Sequence, residues 1–241
     1  ILHPVFKGLK LMYPIKAQGS STLLLTDCAP NAQMVKLTFP ARPTPKRSKM
    51  TYPEVEVIWY DGGLQPAKPA GWPAGKNMNN AGGGAIFHGT KDKLICGCYG
   101  RDPWLLSGRV PTSPKTERRL PDGVSHEMDW VRACKESPES RVKPKSDFSE
   151  AGPFNEMVVM GVLAVRLQGL NKELEWDGDK MEFKNVSADD KVRLTISDNF
   201  TIIDGDPKFD RPNLTINAQE FANEMIKHTY RAPWSLPDMP A

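Results

Sequence analysis

What the chain lacks narrows it first. No apolar stretch approaches the roughly 20 residues that a bilayer-crossing helix needs; the sustained run Met157–Val165 is nine residues long. Four cysteines in 241 residues do not make a disulfide framework. Cys96 and Cys98, spaced C-x-C in a strand-like run, lack two further ligands at the spacing zinc requires and read as buried thiols. A net charge of +3 with dispersed basic residues gives no case for nucleic acid as a partner. The one basic cluster, Lys46-Arg47-Ser48-Lys49, sits in a proline-rich loop and reads as solvated. A Walker A loop, H-E-x-x-H, a G-x-S-x-G elbow and the Rossmann fingerprint are all missing. Glu173/Glu175 and Asp189/Asp190 are near-neighbours in sequence, whereas glycosidase acids face each other across a substrate.

What is present is a globular pattern. Alternation predicts strands over Ile15–Ser21, Leu23–Thr26, Met34–Phe39 and Val55–Tyr60, the last two half-buried. Ala85–His88 and Lys93–Tyr99 read as a hairpin around Gly89–Asp92. Ile1–Met12 reads as the end of a helix stopped by Tyr13-Pro14. Ser125 is placed to cap a second helix with Glu127 and Asp129 in its acidic first turn. His126, Trp130 and Cys134 share one side of that helix and read as core packing.

After a polar linker, Glu136–Glu150, Gly152-Pro153 is expected to open a third helix, proline being tolerated in a first turn. Met157–Val165 is apolar on every face, so this helix is expected to be buried all round. Gly161 implies a close neighbour, since it costs about 1 kcal/mol relative to alanine, and Gly169 is placed as its C-terminal stop. A hairpin follows about Asp177-Gly178-Asp179, then strands at Lys191–Ile196 and Phe200–Ile203. A last helix is capped by Asn217 with Glu220 three residues on. The order gives an α+β class: an open, mostly antiparallel (mixed) sheet with helices packed on one face, 1–241 forming a single domain. The loop 62–83 has a length that goes either with function, Trp72 then being a wall or stacking surface over a cleft, or with a disordered surface loop.

Ile1-Leu2-His3-Pro4-Val5-Phe6 with Leu9-Lys10-Leu11 and Tyr13-Pro14 resembles the start of the C-terminal domain of the glucose–fructose oxidoreductase / inositol dehydrogenase / MocA (Gfo/Idh/MocA) family. The similarity is to the branch of dehydrogenases found in Bacteroidetes and Planctomycetes. It continues through Trp59-Tyr60-Asp61-Gly62-Gly63, Leu94–Gly100, the His126–Cys134 helix, Ala151–Asp177, Tyr230-Arg231 and Trp234.

The resemblance implies a two-domain oxidoreductase in which this chain is the substrate-binding and oligomerisation domain. Its own N-terminal Rossmann domain would bind NAD or NADP, and no cofactor would be bound by this fragment. The family's catalytic lysine, aspartate and histidine would lie upstream of Ile1, so no catalytic residue is assigned here and the fragment alone is expected to be inactive. His3 falls where the branch usually has an aspartate. The substrate would be a sugar, polyol or glycoside. Candidate substrate-binding residues are His3, Trp72, Asn79, Asn80 and His126, with Arg101 and Arg109 behind them. The resemblance also implies a homo-oligomer formed through the sheet, a bacterial cytoplasmic or periplasmic setting, and no nucleic-acid or membrane partner. Two other readings stand beside it: a domain of an NAD-dependent glycosidase of the same family, and a non-catalytic scaffold.

Overall fold

The computed structural model of the chain describes residues 1–44, 46, 51–78, 82–110, 120–121 and 123–236. Helix α1 (Leu2–Gly8) is followed by β1 (Lys16–Ser21), β2 (Gln33–Phe39) and β3 (Val55–Tyr60). Then come β4 (Gly84–His88), β5 (Lys93–Gly97), a 3-10 turn at Cys98–Gly100, β6 (Trp104–Leu105), α2 (His126–Lys135) and α3 (Phe148–Arg166). The last part holds β7 (Leu174–Asp177), β8 (Glu182–Phe183), β9 (Lys191–Thr195), β10 (Asn199–Ile203), β11 (Asp206–Asp210), β12 (Asn213–Asn217) and α4 (Ala218–Ile226). The strands of every described sheet pair antiparallel, so the fold is α+β with open sheets.

The chain groups into two compact units: Ile1–Met12 with Ala67–Glu156, and Tyr13–Pro66 with Met157–Ala241. The second unit is built on a five-stranded sheet ordered β3-β2-β1-β7-β8. Its register places Ala17 opposite Leu37 and Leu174, and Gly19 opposite Val35. Successive side chains alternate across a strand, so these residues share a face with Val57 and Trp59, the partners of Leu37 and Val35. The C-terminal part of α3 packs there with Met157, Met160 and Ala164 buried. Gly19 lets the two backbones meet: a Cβ at this position would lie 2.5 Å from the Val165 nitrogen and 2.6 Å from the Ala164 carbonyl carbon. Gly161 is different, since its Cβ would sit 3.5 Å from Val35 Cγ1, an ordinary contact.

Several expectations need correcting. Helix α3 is one-sided: Val158, Val159 and Val162 are 39%, 43% and 53% exposed. An unbroken apolar run fixes what a helix could bury, but only one face of this helix has a sheet against it. It also starts earlier, at Phe148, because Asp147 caps it by accepting from the Ser149 amide at 2.7 Å. Pro153 therefore sits inside the helix rather than in its first turn. The chain leaves α3 through a second 3-10 turn, and the left-handed residue is Asn171 (φ 53), not Gly169. Leu23–Thr26 forms one isolated bridge, Leu25 to Thr195, instead of a strand. Helix α1 ends at Gly8, where Lys10 turns left-handed (φ 52), well before Tyr13-Pro14. Strands β11 and β12 lie beyond the expected strands, although β12 alternates, Leu214 and Ile216 against Asn213, Thr215 and Asn217.

In the first unit, β4-β5-β6 form a three-stranded sheet. Ser125 caps α2 as expected, accepting from the Met128 amide at 3.2 Å. The inward face of α2 is Asp129 and Ala133, whereas His126, Trp130 and Cys134 are exposed. This reverses the core reading of that trio. Asp129 accepts from the Lys145 amide at 2.7 Å and from Arg132 at 3.0 Å, which closes the loop 136–147 onto the helix. Those donors hold its carboxyl below the usual carboxylate range, the Lys145 amide foremost.

We expect Gly19→Ala to destabilise the chain by about 1–3 kcal/mol, the ordinary cost of overpacking. Gly161→Ala is expected to be neutral or to stabilise by up to about 1 kcal/mol. Urea unfolding of both variants tests the pair, and equal costs would refute the close approach at Gly19. A depressed Asp129 contributes stability that is complete above its unfolded value of about 3.9 and is lost as pH falls through the lower folded value. The Lys145 amide shift should accordingly titrate below pH 3.9, a response that Asp129→Asn should abolish.

Candidate functional site

Five of the candidates and one unanticipated group of residues can be followed within the first unit, beginning at α1. His3 and Lys7 are four residues apart, so they stand one above the other on one helical face. Both reach Glu150 in the first turn of α3: His3 Nε2 lies 3.0 Å from Glu150 Oε1, and Lys7 Nζ pairs with Oε2. Phe154, one turn along α3, meets the His3 ring edge-on at 5.2 Å and Phe6 at 5.3 Å. The imidazole is thus held by a carboxylate and an aromatic edge while about half of its side chain stays exposed.

Next to His3, Pro4 borders Gly100 of the 3-10 turn, and Ile1 borders Gly83. Gly83 (φ 77) and Gly100 (φ 74) are both left-handed, and a Cβ on Gly83 would come within 2.8 Å of Ile1 Cδ1. Between Cys98 and Gly100 stands Tyr99, at φ 60 and ψ 16 and 77% exposed. A non-glycine residue in that conformation is uncommon, and an exposed aromatic there gains nothing from burial. The turn is tied by Gly97 N–H to the Arg101 carbonyl at 2.8 Å, and the Arg101 guanidinium lies 5.4 Å from the Tyr99 ring centre. The helix that carries His3 and the turn that carries Tyr99 and Arg101 are thus neighbours, through Pro4 and Gly100.

The other candidates lie elsewhere in the unit. Trp72 packs edge-on against Trp104 at 5.3 Å, gives its indole N–H to the Lys76 carbonyl at 2.9 Å, and Lys76 Nζ stands 3.6 Å over Trp104. This is a second aromatic platform, built from the long loop and β6. Arg109 sits beside Asp92, at the opposite end of β5 from Cys98. There the Ser107 hydroxyl, two amides and the nearby Arg109 charge lower the Asp92 carboxyl. His126 is an exposed first-turn residue of α2. Asn79 and Asn80, like Arg47, Ser48 and Lys49 of the basic cluster, lie outside the described residues.

Sequence reasoning missed Glu150 and Tyr99. Glu150 had been part of an apparent linker, and the signal that could have found it was Asp147, a cap residue ahead of an apolar run. Tyr99 carried no signal beyond its glycine neighbours. Chemically, a histidine held by a carboxylate can accept or pass a proton to a bound hydroxyl, and the exposed rings offer flat apolar faces beside charged donors. Among the described residues no cluster of three His, Cys, Asp or Glu could hold a metal. Gly82–Gly84 runs into strand β4, so its amides do not open a helix, the arrangement that takes a dinucleotide pyrophosphate. In the second unit, an open groove of about 490 Å³ beside α4 carries Lys180, Glu182, Glu220, Glu224 and Lys227. Its charges are of both signs, and Glu224 is already engaged by Thr229. No helix among the described residues is long and apolar enough to cross a membrane. No family model matches the chain, and no curated protein matches it.

A left-handed tyrosine costs roughly 1–2 kcal/mol in backbone energy. Tyr99→Gly should therefore raise stability by about 1 kcal/mol in thermal unfolding. A fall in Tm would mean that the ring stabilises the fold and is not held there at a cost.

Proposed function

We propose that this chain is the substrate-binding and oligomerisation domain of an NAD(P)-dependent oxidoreductase acting on a sugar, polyol or glycoside. The observation that carries the reading is the His3–Glu150 pair on α1, whose Pro4 borders the turn with the strained, exposed Tyr99 and its Arg101. Hydroxyl-rich ligands are recognised by a few convergent donors and acceptors next to an aromatic face, and these neighbouring elements offer both. Further support comes from the resemblance of the chain to the Gfo/Idh/MocA C-terminal domain, in which the partner domain supplies the dinucleotide. On this reading the chain's residues bind and orient the substrate, and Glu150 keeps the His3 ring in place as a hydrogen-bonding group. Association through the open face of the five-stranded sheet belongs to the same proposal.

Titration of the 241-residue chain with a panel of hexoses, polyols and methyl glycosides should give saturable shifts of the His3 and Tyr99 resonances. His3→Ala or Arg101→Ala should weaken that binding about tenfold, the loss of one good hydrogen bond. NADH should give no measurable heat with the same chain. Micromolar NADH binding, or a panel without a single ligand, would sink the assignment.

A further inference from the structure

We propose that the ribbon β10–β11 is a docking arm that packs face to face, antiparallel, against the same ribbon of a second copy of this chain. Strands β9 and β12 form the base of a two-stranded arm and β10 and β11 its tip, joined at Asp204-Gly205. At the base, Val192 and Leu194 are buried, paired across the ladder with Ile216 and Leu214. The opposite side of the base carries Lys191, Arg193 and Thr195. Between Thr195↔Asn213 and Asn199↔Asp210 the first strand has three residues, 196–198, and the second has two, 211–212. That is a β-bulge, spanned by the Arg211–Asp198 ion pair at 2.6 Å.

One extra residue in one strand exchanges the faces of everything beyond it on that strand. Past the bulge, the side that faces the core at the base presents Asn199, Thr201, Ile203, Asp206, Lys208 and Asp210. The outward side presents Phe200, Ile202, Pro207 and Phe209, with the two rings 5.3 Å apart. The tip's apolar face has been turned away from its own core. All ten residues of β10 and β11 are exposed, Phe200, Ile202 and Phe209 by 56%, 67% and 61%. A two-stranded ribbon with nothing on its apolar face is marginal in water, so this face calls for a cover.

Two features select a second copy. The outward side runs from Lys191 and Arg193 at the base, through the apolar patch, to Asp204 at the turn. A two-fold antiparallel pairing lays apolar on apolar and sets each acidic turn against the other copy's basic base, the self-complementarity an isologous contact needs. The area also fits. With the stems of Lys191, Arg193 and Arg211 the side offers on the order of 600 Å² per copy. The pair then reaches roughly 1,200 Å², the lower end of specific interfaces. This contact is separate from the five-stranded sheet and does not rest on the oxidoreductase reading.

Sedimentation of the 241-residue chain tests the arm. The unaltered chain should sediment as an even-numbered assembly. Phe200→Asp with Phe209→Asp should halve its mass and weaken association at least about 30-fold, with an unchanged circular dichroism spectrum. Arg193→Glu and Asp204→Lys should each weaken association, and the two together in one chain should restore it. A monomeric unaltered chain, an assembly indifferent to the double aspartate change, or charge changes that do not rescue each other would overturn the proposal. None of these outcomes touches the sugar titration, which judges the substrate site by itself.

Discussion

Gly19 meets the backbone of α3 with no side chain between them, and much of the second unit depends on that approach. A backbone contact cannot be relaxed by a rotamer change, so it fixes where β1 and the helix stand. Nearby groups then fall into place. Gln168, just past the helix, bonds both the amide and the hydroxyl of Ser21, the last residue of β1. Arg166 in the last turn donates to the carbonyls of Leu25, Thr26 and Cys28. Those carbonyls are satisfied by a guanidinium instead of a neighbouring strand, which is why an apolar segment after β1 stays irregular.

The other face of the same sheet is governed by charge. Glu173 sits 2.9 Å from both Lys16 and Lys36, and Lys36 is 3.5 Å from Glu56. The two lysines, Lys36 first, draw the Glu173 carboxyl down, and Glu173 in turn raises both ammonium groups. Partly exposed pairs of this kind add little stability each. Their larger effect is on specificity: a partner settles on this face without penalty only where its own groups answer the charges of the ladder.

Sequence pattern was a good guide where one physical signal acts locally. Ser125 and Asn217 cap the helices they precede, and the alternation of Met34–Phe39 and Val55–Tyr60 marks β2 and β3 in register with each other. The turn at Asp177–Asp179 joins Trp176 and Phe183 across a ladder, as their spacing implies. Failures came where the outcome depends on what lies opposite. The valines of α3 are exposed because no described residue covers that side, and Glu150 matters because His3 and Lys7 reach it from 147 and 143 residues away. Tyr99 owes its interest to a backbone angle, and no residue pattern encodes that. The α+β class was legible; the site was legible only as scattered names, of which His3 and Arg101 stand on neighbouring elements, α1 and the 3-10 turn, while Trp72 packs with Trp104 and Arg109 sits by Asp92.

The bulge at residues 196–198 acts as a phase shift in the chain's own grammar. Before it, odd positions of β9 tolerate polarity and even positions must be greasy; after it, the even positions of β10 are the ones turned outward. The apolar positions of that strand therefore stay even throughout, Val192 and Leu194 before the bulge and Phe200 and Ile202 after it, while the face they occupy is exchanged, and removing a single residue there would rewrite the social behaviour of the arm without altering a side chain in it.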